Sequence, residues 1–262
     1  APAFTLAQSL GLPVAHTLHM AALDPSVSSL LATLAPAGTP RQPGQPWLAT
    51  VSRACAATYS DACRIDAVIY NGLDLARIPY APAVAPDAPA LYAGRITPEK
   101  GVEDAITIAL AANIPLRIVG GAYDPGYFER RIAPLLAAHA DQLTYLGPQS
   151  RERVWELMAQ ARAVLVPSLW DEPFGLVACE AMATGTPVIG YDSGGLREVV
   201  ADGMTGAIVP RGAIAEAAAA LRVAGRFRRA DCRARVARRF SLHMTLSRYE
   251  ALYQRMLSDA AR

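Results

Sequence analysis

From residue 90 to residue 223 the chain alternates short apolar runs with longer stretches of helical period. The apolar runs fall at 91–93, 116–119, 143–146, 163–166, 188–191 and 207–209, with glycine or proline at their bounds. Runs that are apolar throughout, rather than alternating, suit parallel strands covered on both faces. Helical patterns fill the intervals at 102–112, 127–139, 151–161, 176–184 and 214–223. Strand and helix in regular turn predict an α/β fold built on a doubly wound parallel sheet. Open sheets of this kind bind ligands beyond the carboxyl ends of their strands. Gly94-Arg95, Gly120-Gly121, Leu146-Gly147-Pro148, Pro167-Ser168 and Asp192-Ser193-Gly194 all fall there, so these loops converge on one edge.

The first third follows another pattern. Strands are expected at 13–18, 47–51 and 66–70, with the Pro/Gly-rich loop APAGTPRQPGQP at 35–46 between the first two. The alternating alanines and prolines of 81–90 read as an interdomain linker. About eighty residues precede it, too few strands for a complete Rossmann-like unit, so residues 1–80 are expected to be a partial domain. Near the end, Leu246, Tyr249, Leu252, Tyr253 and Met256 recur at helical spacing, as for a packed helix.

Composition narrows the classes. The chain has 262 residues, a formal net charge of +2 and a hydrophobic fraction of 52% inflated by alanine. No apolar run approaches the ~20 residues needed to span a bilayer, and a cytoplasmic protein is expected. Cys55, Cys63, Cys179 and Cys232 have neither CxxC nor zinc spacing and read as reduced, buried residues. Eight arginines crowd 222–239. That segment either faces an anionic membrane or is the solvated side of two helices, and the second reading is preferred. Phe227 within it and Phe240 just after it are the only aromatics there, which argues against a nucleic-acid partner.

The candidate chemistry lies in two stretches. In EPFGLVACE, Pro173 suits a first helical turn, leaving the amides near Phe174, Gly175 and Leu176 as free donors at a positive helix end. Glu172 precedes that helix and Glu180 lies within it; the helix is Ala-rich and reads as buried, so Glu180 needs a partner. Two carboxylates at different depths suit vicinal hydroxyls, as on a sugar ring and a ribose. The second stretch, GRITPEKG, carries Lys100, the only lysine beside 24 arginines. A compact charge on a flexible stem suits a phosphate-bearing ligand.

These motifs together resemble retaining glycosyltransferases of family 4, which have the two-domain GT-B fold. The resemblance rests on Glu172 and Glu180 as an E-x7-E element, on GRITPEKG, on GTPVIGYDSGGLREVVADGMTG and on VIYNGLDL at 68–75, and it covers the chain from Pro13 onward. It implies two Rossmann-like doubly wound domains, the N-terminal one incomplete here. Residues 91–240 would bind the nucleotide sugar, and 241–262 would form a helix crossing back onto the N-terminal domain.

The resemblance also implies roles. Gly94, Arg95 and Lys100 would hold the donor diphosphate, Glu180 the ribose hydroxyls, and Glu172 the transferred hexose. The amides near Phe174, Gly175 and Leu176 would contact sugar and phosphate, while the base would lie near Leu146, Gly147 and Ser168. A histidine approaching the sugar would be His19, with His16 as the alternative; three residues apart on a strand, they should not share a face. The implied reaction moves a hexose from a nucleotide diphosphate sugar, a UDP-sugar for preference, to an acceptor hydroxyl with retention. It needs no metal and no cofactor. The acceptor is a sugar, a lipid or a small molecule. Two other readings stand beside it: a donor-binding but catalytically incomplete fragment or accessory subunit, and a phosphosugar epimerase or phosphorylase, disfavoured because a phosphorylase needs a lysine for pyridoxal phosphate and Lys100 is committed to the donor loop.

Overall fold

The computed structural model describes residues 12–42 and 44–260. Contacts divide the chain into two compact units. One comprises the residues up to Gly72, Glu172–Phe174 and those from Leu242 on; the other comprises Leu73–Asp171 and Gly175–Ser241.

The first unit holds a parallel three-stranded sheet, β1 (Ala15–Leu18), β2 (Trp47–Thr50) and β3 (Ala67–Val68), in that order. β2 lies in the middle and is buried throughout. Just before β3, Asp66 accepts a hydrogen bond from the Leu48 amide at 2.8 Å and pairs with Arg41 and Arg64. Two helices escape the apolar pattern, Pro25–Leu34 and Arg53–Ala57, started by the side chains of Asp24 and Ser52. The long helix Leu242–Ala260 buries Leu252 and Met256 against Trp47, Ala49 and Ile69, and Tyr249 shares a 2.8 Å hydrogen bond with Thr17.

The second unit contains β4 (Ala90–Ala93), β5 (Leu116–Val119), β6 (Leu143–Tyr145), β7 (Val164–Val166), β8 (Val188–Tyr191) and β9 (Gly206–Val209). They form one parallel sheet in the order β6-β5-β4-β7-β8-β9. The order reverses between β4 and β7, which makes their carboxyl ends the switch point where a ligand crevice opens. Helices Val102–Ala112, Arg151–Gln160, Leu176–Ala183, Ile214–Arg222 and Arg229–Arg239 accompany the sheet. A core of β-strand residues with Val102, Ile106, Ala217 and Leu221 fixes the first and fourth of these helices.

Three expectations change. The helix expected at 127–139 begins at Pro125, capped by Asp124, runs through a π-helical turn at Phe128–Ile132 and resumes over Ala133–Ala138. Pro134 has no N–H for the carbonyl one turn back, and the wider turn absorbs that mismatch. The stretch 81–90 belongs by its contacts to the second unit rather than standing as a free linker. Its carbonyls are taken by arginines, Ala81 by Arg229 at 2.7 Å and Pro86 and Ala88 by Arg162. The arginine-rich segment is not simply solvated: Arg229 is buried, and Arg233 and Arg235 also turn their guanidinium groups to backbone carbonyls. Among the described residues no helix is long and apolar enough to cross a membrane.

Candidate functional site

The carboxyl ends of β4 and β5 nearly touch. A Cβ on Gly120, which has φ +150°, would lie 1.7 Å from the Gly94 carbonyl oxygen, so only glycine fits. Tyr145 donates to the Gly120 carbonyl at 2.8 Å and braces the same loop from the end of β6. These backbones form the floor of a cavity of about 270 Å³, lined by Gly94, Arg95, Gly120, Gly121, Gln149 and Glu180 among others. A larger cavity of about 670 Å³ lies among Tyr80, Pro82, Arg162, Pro187 and Arg229. Arg162 and Pro187 precede β7 and β8, so it opens at the amino ends of the strands, and no carboxylate lines it. The smaller cavity occupies the position where ligands bind in sheets of this topology.

The loop after β4 places the two cations. Tyr92 donates to the Arg95 carbonyl at 2.9 Å, with the Lys100 carbonyl at 3.5 Å, so one buried hydroxyl ties the two ends of the GRITPEK turn. The Leu169 amide donates to the Glu99 carbonyl at 2.9 Å, fastening this turn to the loop after β7. The Arg95 guanidinium is 3.5 Å from Glu99 and faces the Tyr123 ring at 6.0 Å. Lys100 rests its ammonium over Trp170, 4.4 Å from the ring centroid. A cation beside a partly exposed carboxylate or over a ring face is placed where an anionic ligand can also meet it.

Glu180 is the buried carboxylate of the unit, at 7% exposure on the helix Leu176–Ala183. Burial pushes its carboxyl above the ordinary glutamate value, and Arg151 opposes that shift. Arg151 reaches Glu180 Oε1 through Nε at 3.0 Å and through a terminal guanidinium nitrogen at 2.9 Å. Gly175 starts the helix with φ +96°, and a Cβ there would meet Leu196 at 3.1 Å. Farther along the edge Asp192 is bound by Arg197, whose hydrogen bond holds its carboxyl below the usual range. Ser193 is fully buried, and its Oγ has no hydrogen-bond partner.

Of the expected site residues, Gly94, Arg95 and Glu180 line the one cavity. Lys100, Leu146, Gly147, Ser168, Gly175 and Leu176 belong to the same unit without lining it. His19, Glu172 and Phe174 belong to the first unit. There Ser52 donates to the Pro173 carbonyl, and Phe174 packs 6.1 Å from the Tyr70 ring. His19 follows β1 and is exposed, whereas His16 lies within the strand, half-buried, and burial lowers its pKa. Arg151, Tyr123, Gln149 and Trp170 went unnoticed in the sequence. The Ser150 cap at the head of the Arg151–Gln160 helix was the one local signal that Arg151 begins a helix.

Residues 84–225 match the Glycosyl transferases group 1 family. This match covers more than half of the chain, and the chain belongs to that family, with its parallel, Rossmann-like α/β architecture. A D-inositol 3-phosphate glycosyltransferase of Mycobacteroides abscessus is 37% identical over 167 residues, 58% of this chain and 37% of the relative. AviGT4, a glycosyltransferase involved in avilamycin A biosynthesis, superimposes with a TM-score of 0.69 at 30% identity, over 80% of this chain and 64% of that one. Sucrose-phosphate synthase from Thermosynechococcus elongatus gives a TM-score of 0.78 at 25% identity, over 98% and 71%. The chain spans about half the length, or less, of the curated relatives it matches.

Proposed function

We propose that the second unit is the donor site of a glycosyltransferase that takes a hexose from a nucleotide diphosphate sugar, with UDP as the carrier. The observation that carries this reading is the meeting of Arg95, the Gly94 and Gly120 backbones and the buried Glu180 around one cavity at the switch point of a parallel sheet. A carboxylate buried there suits paired hydroxyls, and two cations carried on one turn suit a diphosphate. Two of the relatives named above are glycosyltransferases by name, which supports the same class here.

In the proposed reaction Glu180 accepts hydrogen bonds from the ribose diol. Arg95 and Lys100 neutralise the diphosphate as charge builds on the leaving group, Lys100 moving off the Trp170 ring to do so. The amide donors at the start of the Leu176–Ala183 helix add positive potential. The bond between the anomeric carbon and the phosphate oxygen breaks while the acceptor oxygen bonds to the same face of that carbon. The acceptor proton passes to the leaving phosphate, which gives retention. With two protein cations at the diphosphate, no metal is required.

A thermal-shift panel of UDP, GDP, ADP and their sugar forms tests the reading, with Glu180→Ala alongside and each condition run once in EDTA and once in excess magnesium. At a hundred times its dissociation constant a bound nucleotide adds ~2.7 kcal/mol of stability. One nucleotide should stabilise the wild type and leave the variant unmoved. Stabilisation that requires a divalent ion would remove the metal-independent mechanism. Release of hexose to an acceptor by this 262-residue chain would separate a complete transferase from one that binds donor alone.

A further inference from the structure

We infer that Arg151 is a positioning residue for nucleotide recognition, holding Glu180 in the orientation that receives the donor's hydroxyls. The inference rests on the donor-site reading of the cavity that Glu180 lines. Arg151 is the first residue of its helix, and Ser150 caps that helix by accepting from the Arg153 amide at 3.2 Å. Its side chain therefore leaves the helix at a fixed point. The guanidinium also lies 5.5 Å from the ring of Trp155, which is buried one turn further on. From this setting two of its nitrogens converge on Oε1 of Glu180, at 3.0 and 2.9 Å. The hydrogen bond from Nε and the ion-pair contact of the terminal nitrogen hold this oxygen in place and leave the second oxygen the better acceptor for a ligand hydroxyl.

The two partners differ sharply in exposure, 58% for the Arg151 side chain and 9% for that of Glu180. The cation keeps much of its hydration while offsetting the desolvation of the anion, an arrangement that favours a charged carboxylate in a closed site. Other groups near Glu180 are placed differently. Arg95 and Tyr123 line the same cavity, Cys179 is its buried neighbour, and Arg235 reaches the carbonyls of Glu198 and Val199. Arg197 is engaged by Asp192. Among the described residues Arg151 is the cation bonded to Glu180. Without it the largest influence opposing burial is lost, and a protonated Glu180 is a poorer acceptor for the donor diol.

The test is calorimetric titration of UDP from about pH 5 to about pH 8 with wild type, Arg151→Gln and Arg151→Lys, and with inorganic pyrophosphate as a second probe. Arg151→Gln should bind UDP about tenfold more weakly at neutral pH, the loss of a charge-assisted pair, and should lose binding at a higher pH than the wild type. Arg151→Lys should return the pH profile toward the wild type. Pyrophosphate should bind all three proteins alike, because Glu180 meets hydroxyls and not phosphates. A ¹³C titration of the Glu180 carboxyl should move up in Arg151→Gln, a readout that needs no ligand. UDP binding with superimposable pH profiles in wild type and Arg151→Gln would overturn this inference and leave the donor reading intact. Tighter binding by Arg151→Gln would overturn it as well, making Arg151 a competitor of the ligand. Failure of the wild type to bind UDP at any pH would remove both.

Discussion

At the scale of single residues, Glu180 shows a conflict between stability and use. A carboxyl whose folded pKa is raised holds its proton more tightly in the folded state. Folding therefore gains stability as pH falls through the interval between unfolded and folded values, and loses it again as pH rises. At neutral pH the charged Glu180 weakens the fold, so Glu180→Gln should raise thermal stability, by about 1 kcal/mol, while nucleotide binding is lost. A lower Tm in that variant would mean that the Arg151 pair stabilises the fold more than burial of Glu180 opposes it. Gly120→Ala should act in the other direction. Its Cβ meets a carbonyl oxygen of the neighbouring strand end, and a loss of about 2 kcal/mol or more is expected in urea unfolding, with the cavity distorted. Glu180 was legible in the sequence because a carboxylate in an Ala-rich, buried helix has to have a purpose. Arg151 was not: it lies 29 positions away, and in a chain with 24 arginines beside one lysine an arginine carries little information.

At the scale of elements the apolar runs placed all six strands of the second sheet, most of them to within a residue at each end. That success follows from β4, β7 and β8 being buried throughout, with polar Arg117 and Thr144 confined to β5 and the edge strand β6. The helix at 125–138 was harder, since Pro134 and the π-turn break the period that sequence reading relies on. The helix Arg229–Arg239 misled for another reason. Its arginines look like a solvated face, yet Arg229 bonds the carbonyls of Ala81, Ala159 and Ala161 and the hydroxyl of Thr186. Charge composition reports what a side chain is, not whether carbonyls wait for it. Arg229→Met keeps most of the packing and leaves three carbonyls without their donor, at ~1–3 kcal/mol for each that stays dry. A drop of about 3 kcal/mol or more is expected in denaturant unfolding. A change under about 0.5 kcal/mol would show that water replaces the guanidinium.

At the scale of the whole molecule, the order of the strands matters more than any single motif. The sheet reverses between β4 and β7, and the loops with Gly94, Arg95 and Ser168 follow those two strands. The sequence alone named these loops but not their neighbours, because strand order is a long-range property that periodicity does not carry. The first unit was read less well: two of its helices were missed, being short or serine-rich and marked mainly by their caps. The account stands on the second unit forming a nucleotide site by itself, and calorimetric titration of the protein with UDP in EDTA, repeated with Glu180→Ala, tests that most directly. The account expects one binding site per chain in the wild type, unaffected by EDTA and absent from the variant. No heat of binding, or binding that survives Glu180→Ala unchanged, would contradict it.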